Sequence, residues 1–343
     1  ARQSRSEEGS RSPSVDAEGH ISGAVRRVGR FEIDGVLDKG TFGTVFRAWD
    51  TKWEEMVALK VIRRIQRYVD DAEFEVSILD RLAEIDPDAR HCVRLYKYFH
   101  YRGHFCIVTE LMGPSLYHSL KRLRAVRQVV SIEGVRNIAL QLCEALRFLR
   151  SVRLIHADLK TENVLLARPD LTLHDPSAKI KLIDFGGATW DHDSHSKVIQ
   201  TRHYRAPEVV LGLGWSFPCD MWSLGCILLE VYEGRLTFDT HDTAQHLAMM
   251  RRLLGEDIPP HMVRRIPDDN GCASYFDWSM RLRWPQLATG RAEAEAVSRM
   301  APLSERVEAG HEDLLALLTG LLQLDPENRL TPDEALQTRF LRG

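Results

Sequence analysis

Three polar side chains of different chemistry lie close together in this 343-residue chain. Asp158, Lys160 and Asn163 interrupt an apolar stretch that runs from Leu154 to Leu166. The apolar residues on either side are typical of short buried strands, so the polar residues between them are predicted to form a loop with fixed ends. A loop held in this way can place a carboxylate, an ammonium group and an amide around one reacting atom.

A second carboxylate follows an apolar strand further along the chain. The stretch from Lys179 to Ile183 is largely apolar and leads directly into Asp184, Phe185 and Gly186. Either motif alone would be weak support for a site, because Asp and Asn after a strand are often turn or cap residues. Together the two motifs resemble the catalytic loop and the metal-binding loop of the eukaryotic protein kinases.

The composition is that of an ordinary soluble globular protein, with 44% apolar and 28% charged residues. A length of 343 residues suits two lobes that share a cleft. The formal net charge of −3 argues against a direct nucleic-acid partner on a broad basic surface. Six scattered cysteines without a CxxC pair favour reduced thiols over disulfides or zinc. No apolar run is long enough to span a membrane and no signal peptide opens the chain, so no membrane partner is expected.

Residues 1–28 are predicted to be a disordered tail, because they are rich in Ser, Arg, Glu and Gly and almost lack large apolar side chains. The tail contains Ser4-Arg5-Ser6 and the segment from Ser10 to Ser14. A solvated tail is the simpler interpretation. The alternative is a short arginine/serine segment that is itself a phosphorylation substrate.

Order is predicted to begin near Phe31, with a strand to Leu37 and a glycine-containing hairpin turn before Val45. Glycines let backbone N–H groups approach phosphates closely, although ordinary hairpins also use them. The kinase pattern GxGxxGxV is met at Gly40, Gly43 and Val45, with Asp38 in place of the first glycine. Asp38 is expected to weaken phosphate binding or to turn outward.

Lys60 lies in the centre of a predicted buried strand from Val57 to Ile62. It could snorkel at a sheet edge, but the kinase resemblance gives it two partners, the ATP phosphates and a helix glutamate. The helix is predicted from Asp71 to Leu82, and Glu75 is chosen over Glu73 because residues 75–79 follow the family's Glu-Ile-x-x-Leu pattern, with Val76 at the Ile position. One face of this helix is predicted to carry Phe74, Ile78, Leu79 and Leu82.

The stretch from Phe105 to Gly113, a strand that runs into a glycine-containing link, resembles the kinase hinge, with an ordinary strand end as the alternative. Thr109 would be the gatekeeper, and the backbone of Glu110 and Met112 would hydrogen-bond adenine. The second lobe is predicted to be helical, with a helix capped by Ser131 and a buried helix from Asp220 to Glu230.

The resemblance covers roughly residues 31–341 and implies an α+β, two-lobed protein kinase fold that uses ATP and Mg²⁺. Residues 29–112 would form a small, mainly antiparallel β lobe with one key helix, and residues 113–341 a larger, mainly α-helical lobe. Asp158 would accept the substrate hydroxyl proton, Lys160 would stabilise the transferring phosphoryl group, and Asn163 and Asp184 would bind the metal. The implied ATP-binding residues are Leu37, Asp38, Lys39, Gly40, Thr41, Phe42, Gly43, Thr44, Val45, Ala58, Lys60, Glu75, Thr109, Glu110, Met112 and Leu165. Structural support would come from an ion pair between Glu208 and Arg329.

The resemblance narrows to the Cdc-like, or LAMMER, kinases of the CMGC group. The segments 201–211 and 214–220 are similar to theirs, and Gln245–Arg252 follows their Glu-His-Leu-Ala-Met-Met-Glu-Arg motif, with Gln245 and Arg251 replacing its two glutamates. Membership implies dual specificity, protein substrates such as serine/arginine-rich splicing factors, a monomer, and residence in the nucleus, with the cytoplasm as a second location. Glu162 would contact a substrate arginine.

Two other interpretations remain open. Another CMGC kinase, proline-directed or of the dual-specificity tyrosine-regulated type, is disfavoured by Glu162 and by the LAMMER-like segment. A pseudokinase scaffold has only Asp38 in its favour, since the catalytic residues are all present. The chain also departs from the common patterns at Ala157, where many kinases have Arg, at Thr161, where Pro is common, and at Thr109, where this family would have Phe.

Overall fold

The computed structural model describes residues 27–175, 177–193, 196 and 198–343. Most of the predicted tail, including its arginine/serine segments, lies outside the described residues. The chain divides into two compact units. The described part of the small unit comprises residues 27–89 and 93–112, and the large unit comprises residues 90–92 and 113–343.

The small unit is built on one six-stranded sheet in the order β1-β2-β3-β4-β6-β5, in which every pair of neighbours is antiparallel. Alternate apolar side chains of these strands form its core, including Phe31, Phe46, Val57 and Leu59. The strands are β1 (Arg27–Val28), β2 (Phe31–Lys39), β3 (Gly43–Asp50), β4 (Glu55–Ile62), β5 (Leu95–Tyr101) and β6 (His104–Glu110).

Strand β1 corrects the predicted tail boundary. Arg27 and Val28 pair with Glu32 and Phe31, and Val28 is fully buried. The predicted tail of residues 1–28 therefore ends two residues too late, because Val28 gains a strand partner and a place in the core.

Helix α1 (Gln66–Ile85) lies between β4 and β5 in the sequence and is longer than the predicted span of residues 71–82. Its buried residues include Glu75, Val76 and Leu79, as expected for one face of a helix. Phe74, however, is 39% exposed, so its predicted place on that face is wrong. Successive residues of a helix are about 100° apart around the axis, and this rotation takes Phe74 away from the stripe centred near Glu75.

The large unit is mainly helical, with two small two-stranded sheets that pair β7 with β10 and β8 with β9. Ser131 caps helix α3 (Ile132–Ser151) as predicted, since its hydroxyl accepts the Gly134 N–H at 3.2 Å. Helix α5 (Pro218–Glu233) is buried along most of its length. The elements are α2 (Leu116–Ala125), α3 (Ile132–Ser151), β7 (Leu154–Ile155), β8 (Val164–Leu166), β9 (Ile180–Leu182), β10 (Thr189–Trp190), α4 (Pro207–Leu211), α5 (Pro218–Glu233), α6 (Thr243–Leu254), α7 (Pro260–Arg264), α8 (Arg291–Ser298), α9 (Leu303–Arg306), α10 (Glu312–Leu321), α11 (Pro332–Ala335) and α12 (Arg339–Arg342), with short 3₁₀ helices at Thr161–Asn163, Arg202–Tyr204 and Gly271–Tyr275.

All six cysteines are buried thiols, and none of them forms a disulfide. Among the described residues, no helix is both long and apolar enough to cross a membrane.

Candidate active site

In the small unit, the predicted phosphate-binding loop joins β2 to β3. Only glycine fits at position 43, because a Cβ there would lie 2.1 Å from the Val61 carbonyl oxygen. A Cβ on Gly40 would meet no described atom within 4 Å, so the loop is open at this point. The Asp38 carboxylate accepts the N–H of Lys39 at 2.8 Å. This contact engages the Asp38 carboxylate and uses the Lys39 N–H, one of the loop's backbone donors.

The central lysine of β4 is ion-paired with helix α1. Lys60 Nζ lies 2.6 Å from Glu75 Oε2, and the Glu75 side chain is only 10% exposed. The pairing is thus made by the glutamate chosen from the sequence motif, and not by Glu73. A lysine held in this way has its ammonium group fixed at one place on the sheet, ready to meet an anionic ligand.

The end of β6 carries the predicted adenine-binding segment. Thr109 faces Ala58 across the sheet, and both are partly exposed. The Glu110 N–H donates to the Arg94 carbonyl at 3.1 Å. Met112 is buried. Of the other predicted ATP contacts in this unit, Leu37, Lys39, Thr41 and Phe42 are exposed, Val45 is partly exposed and Thr44 is buried.

In the large unit, β7 and β8 hold the predicted catalytic loop between them. Asp158 lies at its centre with both carboxylate oxygens engaged. Oδ2 accepts the Lys160 ammonium at 2.6 Å, and Oδ1 accepts the backbone N–H and the hydroxyl of Thr201 at 2.9 and 2.8 Å. Lys160 also donates to the Thr201 hydroxyl at 3.2 Å. The three residues therefore fix one carboxylate and one ammonium group side by side.

The start of this loop is anchored by Asp220, at the beginning of α5. Its carboxylate accepts the N–H groups of His156 and Ala157 at 2.8 and 3.0 Å. Burial raises the pKa of Asp220, an effect that the neighbouring His156 and the two hydrogen bonds oppose. Ala157 has a φ of 61°, which is costly for a residue with a Cβ. The two hydrogen bonds help to hold this strained conformation.

His156 links the catalytic loop to the segment that follows β9. Its Nδ1 accepts the Asp158 N–H at 3.3 Å, and its Nε2 lies 3.2 Å from the Ile183 carbonyl. One neutral tautomer, with the proton on Nε2, satisfies both contacts. The imidazole also packs on Phe185, with ring centroids 5.1 Å apart. The position of Asp158 is therefore tied to that of the Asp184–Gly186 turn.

Asn163 and Asp184 lie at the same end of the β8–β9 pair. The register sets Val164 opposite Leu182, and the Ile183 N–H donates to the Asn163 carbonyl at 3.0 Å. The Asn163 amide nitrogen donates to the Asp158 carbonyl at 3.0 Å, so the amide oxygen is the atom that would bind a metal.

This donor set fits Mg²⁺, which prefers oxygen ligands and is usually held by one or two protein groups together with substrate phosphates. No group of three or more His, Cys, Asp or Glu side chains that could hold a metal ion occurs within the described residues.

Elsewhere in the large unit, Arg329 makes two hydrogen bonds to Glu208, at 2.7 and 2.9 Å. Both side chains are buried, and the guanidinium also lies over the Trp222 ring. This pair joins the start of α4 to the loop before α11. Leu165, on β8, is partly exposed.

The comparisons with known proteins match residues 31–341 to the protein kinase domain. The chain belongs to the protein kinase family. It is 42% identical over 334 residues to the serine/threonine-protein kinase AFC1 of Arabidopsis thaliana, covering 91% of this chain and 70% of that protein. It is 39% identical over 344 residues to the dual specificity protein kinase CLK2 of Mus musculus, covering 95% of this chain and 67% of that protein. A crystal structure of the kinase domain of PF14_0431 has a TM-score of 0.87 and 34% identity, over 94% of this chain and 99% of that one.

These relatives confirm the predicted Cdc-like type, and the solved structure confirms the predicted kinase fold class. The kinase is a phosphotransferase of the α+β, two-lobed class. Ala157 and Thr161, which differ from the common kinase patterns, therefore belong to a kinase fold.

Two residues that position the kinase's catalytic loop were missed by sequence reasoning. Thr201 has no role of its own in the sequence analysis, yet its hydroxyl bridges Asp158 and Lys160. Asp220 was assigned only to a buried helix. A signal for Asp220 was present, because an acidic residue at the start of an otherwise apolar helix needs a partner.

The predicted substrate residue Glu162 is exposed and lies beside a buried acidic network. Tyr204 donates to Glu230 at 2.6 Å, and the hydroxyls of Thr161 and Tyr204 are 3.0 Å apart. The Thr161 hydroxyl is in turn 3.4 Å from Glu162. Burial raises the pKa of Glu230 to about 7, and the charge of Glu162 contributes to this rise while the hydrogen bond from Tyr204 opposes it. Glu162 is therefore the solvent-facing member of two neighbouring carboxyl groups.

Proposed function

We propose that the kinase transfers the γ-phosphoryl group of ATP to serine and threonine residues flanked by arginine, and to tyrosine by autophosphorylation. The observation that carries the proposal is the Asp158–Lys160 ion pair of 2.6 Å beside the oxygen ligands Asn163 and Asp184. Dual specificity is named for the relative CLK2. Arginine/serine-rich splicing factors as substrates, and residence in the nucleus, follow from the resemblance to Cdc-like kinases.

The loop residues have separate tasks in this transfer. ATP supplies the phosphoryl group, and Mg²⁺ bound by Asn163 and Asp184 would neutralise its charge. Asp158 takes the proton of the substrate hydroxyl as that oxygen bonds to phosphorus and the bond from phosphorus to the ADP oxygen breaks. Lys160 keeps a positive charge beside the transferring group. Thr201 holds Asp158 in place through both of its donors.

The arginine preference is supported by the surroundings of Glu162. Its carboxylate is exposed, and the buried Glu230 behind it adds to the negative field when ionised. A guanidinium can make a charge-assisted, bidentate pair with such a carboxylate. The alternative is that Glu162 only braces the loop through Thr161. The contact of 3.4 Å between them is too long to be a strong brace.

The deciding experiment compares three peptides by kcat/KM. One has arginine on both sides of serine, one has these arginines changed to alanine, and one has a proline after serine. We expect wild type to favour the arginine peptide, and Glu162→Gln to reduce that preference at least roughly fivefold. Asp170→Asn is the matched control, because it removes an exposed charge whose partner is the nearby Arg168. Asp158→Asn provides the inactive baseline.

The outcomes separate the substrate claim from the residue claim. If wild type prefers the proline peptide or shows no preference, the arginine claim is wrong. If wild type prefers arginine but Glu162→Gln keeps the full preference, the substrate class stands and Glu162 is not the residue that reads it.

A further inference from the structure

The tip of the phosphate-binding loop is attached to helix α1. The Phe42 ring meets the Tyr68 ring edge to face, with centroids 5.2 Å apart and an interplanar angle of 75°. This is a favourable geometry for an aromatic pair. The Arg63 N–H donates to the Phe42 carbonyl at 2.9 Å, and the Arg63 guanidinium reaches the Gly40 carbonyl at 3.3 Å.

The same helix also holds the phosphate-binding lysine. Tyr68 and Glu75 are seven residues apart, which places them two turns apart on one side of α1. Glu75 pairs with Lys60, and Tyr68 packs on Phe42. Helix α1 therefore contacts both parts of the small unit that are proposed to meet ATP phosphates.

Little else holds the loop tip. Gly43 is fixed against the sheet, but around Gly40 the loop is open. Within the loop, the Gly40 N–H donates to the Gly43 carbonyl at 3.0 Å. Phe42 is 48% exposed, so the remaining half of its surface is covered, in part by Tyr68. The position of the loop's backbone donors should depend on that ring contact.

We propose that Tyr68 is a positioning residue for nucleotide phosphates, acting through Phe42 on residues 40–43. The proposal rests on the proposed use of ATP as phosphoryl donor. Only the ring is needed, because within the described residues the Tyr68 hydroxyl makes no hydrogen bond. Tyr68→Phe should therefore behave as wild type, whereas loss of the ring should free the loop.

The first test uses the protein without nucleotide. Hydrogen–deuterium exchange of the peptide that covers residues 40–43 should be faster in Tyr68→Ala and unchanged in Tyr68→Phe. Phe74→Ala is the matched control, since it removes an exposed aromatic ring from the same helix. Because Tyr68 also packs against the cluster that contains Ile62 and Phe105, Tyr68→Leu serves as a second variant that keeps apolar volume if the alanine variant misfolds.

The second test compares Kd for ADP with Kd for adenosine by calorimetry. We expect Tyr68→Ala or Tyr68→Leu to raise Kd for ADP roughly 2- to 10-fold, the range expected for loss of an aromatic pair, and to leave Kd for adenosine unchanged. Phe42→Ala should do the same. The double variant should raise Kd for ADP no more than the more impaired single variant does, because both substitutions remove the same contact.

Equal weakening of ADP and adenosine would mean general damage to the small unit and would overturn the positioning role. Unchanged loop exchange, or additive effects in the double variant, would overturn it as well. If wild type transfers no phosphate from ATP, it is the proposed function that fails. An active wild type with normal ADP binding in the Tyr68 variants contradicts only the positioning role.

Discussion

The hydroxyl of Thr201 should make a measurable contribution to turnover. It donates to Asp158 at 2.8 Å and accepts from Lys160 at 3.2 Å, while the backbone N–H of Thr201 makes a separate bond to Asp158 at 2.9 Å. Thr201→Val keeps the shape of the side chain and the backbone bond. It removes only the bridge between the two charged groups.

The size of the effect follows from these contacts. A hydrogen bond to a charged group contributes about 1.5–3 kcal/mol, and about 1.4 kcal/mol corresponds to a tenfold change in rate. The Asp158 side chain is 26% exposed, so water can partly replace the lost hydroxyl and the lower half of that range applies. We therefore expect kcat/KM for the peptide to fall about 10- to 30-fold in Thr201→Val.

The assay is steady-state phosphorylation of the arginine peptide at saturating ATP. Thr201→Ser, which retains the hydroxyl, should stay within about threefold of wild type, and KM for ATP should be similar in all three proteins. Thermal melting checks that Thr201→Val is folded. A folded Thr201→Val with near-normal kcat/KM would refute the reasoning, and so would a Ser variant as impaired as the Val variant.

Three further predictions follow from other residues. Burial raises the pKa of Glu230 from 4.5 to about 7, so between these pH values the folded state keeps a proton that the unfolded state has lost. The free energy of unfolding of wild type, measured by urea melts, should therefore fall by roughly 3 kcal/mol between about pH 4.5 and 7, and that of Glu230→Gln should not show this fall. Thr109→Phe should weaken the binding of a nucleotide-competitive inhibitor that has a bulky group directed at residue 109. The binding free energy, obtained from Kd, should change by about 1–3 kcal/mol, and equal binding to both forms would contradict this. Treatment of the kinase with phosphatase should leave most of its activity toward the peptide, because the Gln200 N–H already donates to the Ala157 carbonyl. A large loss of activity that rephosphorylation restores would contradict this prediction.

Short motifs predicted the parts of the site that lie close together in sequence. The residues of the catalytic loop, and the choice of Glu75 as the partner of Lys60, could be inferred because fixed spacings on a strand or helix set their directions. The Ser131 cap was predictable for the same reason. These features depend on local geometry, which the sequence encodes directly.

Contacts between distant segments could not be inferred in this way. Thr201 is 43 residues from Asp158, and Asp220 is 64 residues from His156. Their polar side chains have many candidate partners until the fold brings one of them near. The same applies to Val28, whose burial depends on its pairing with β2 and not on the polar composition around it.

The surroundings of Ala157 explain how residues 199–205 can be held in place by the chain itself. Ala157 is buried, and its carbonyl accepts the N–H of Gln200 at 3.0 Å. The Arg205 guanidinium donates to the carbonyls of Ile199 and Gln200 at 2.9 and 2.8 Å. Where other kinases place an arginine whose charge a loop phosphate balances, this chain has a methyl group and a set of backbone hydrogen bonds. Because these acceptors are neutral and need no added charge, the segment around Thr201, and with it Asp158, can be held in place without phosphorylation.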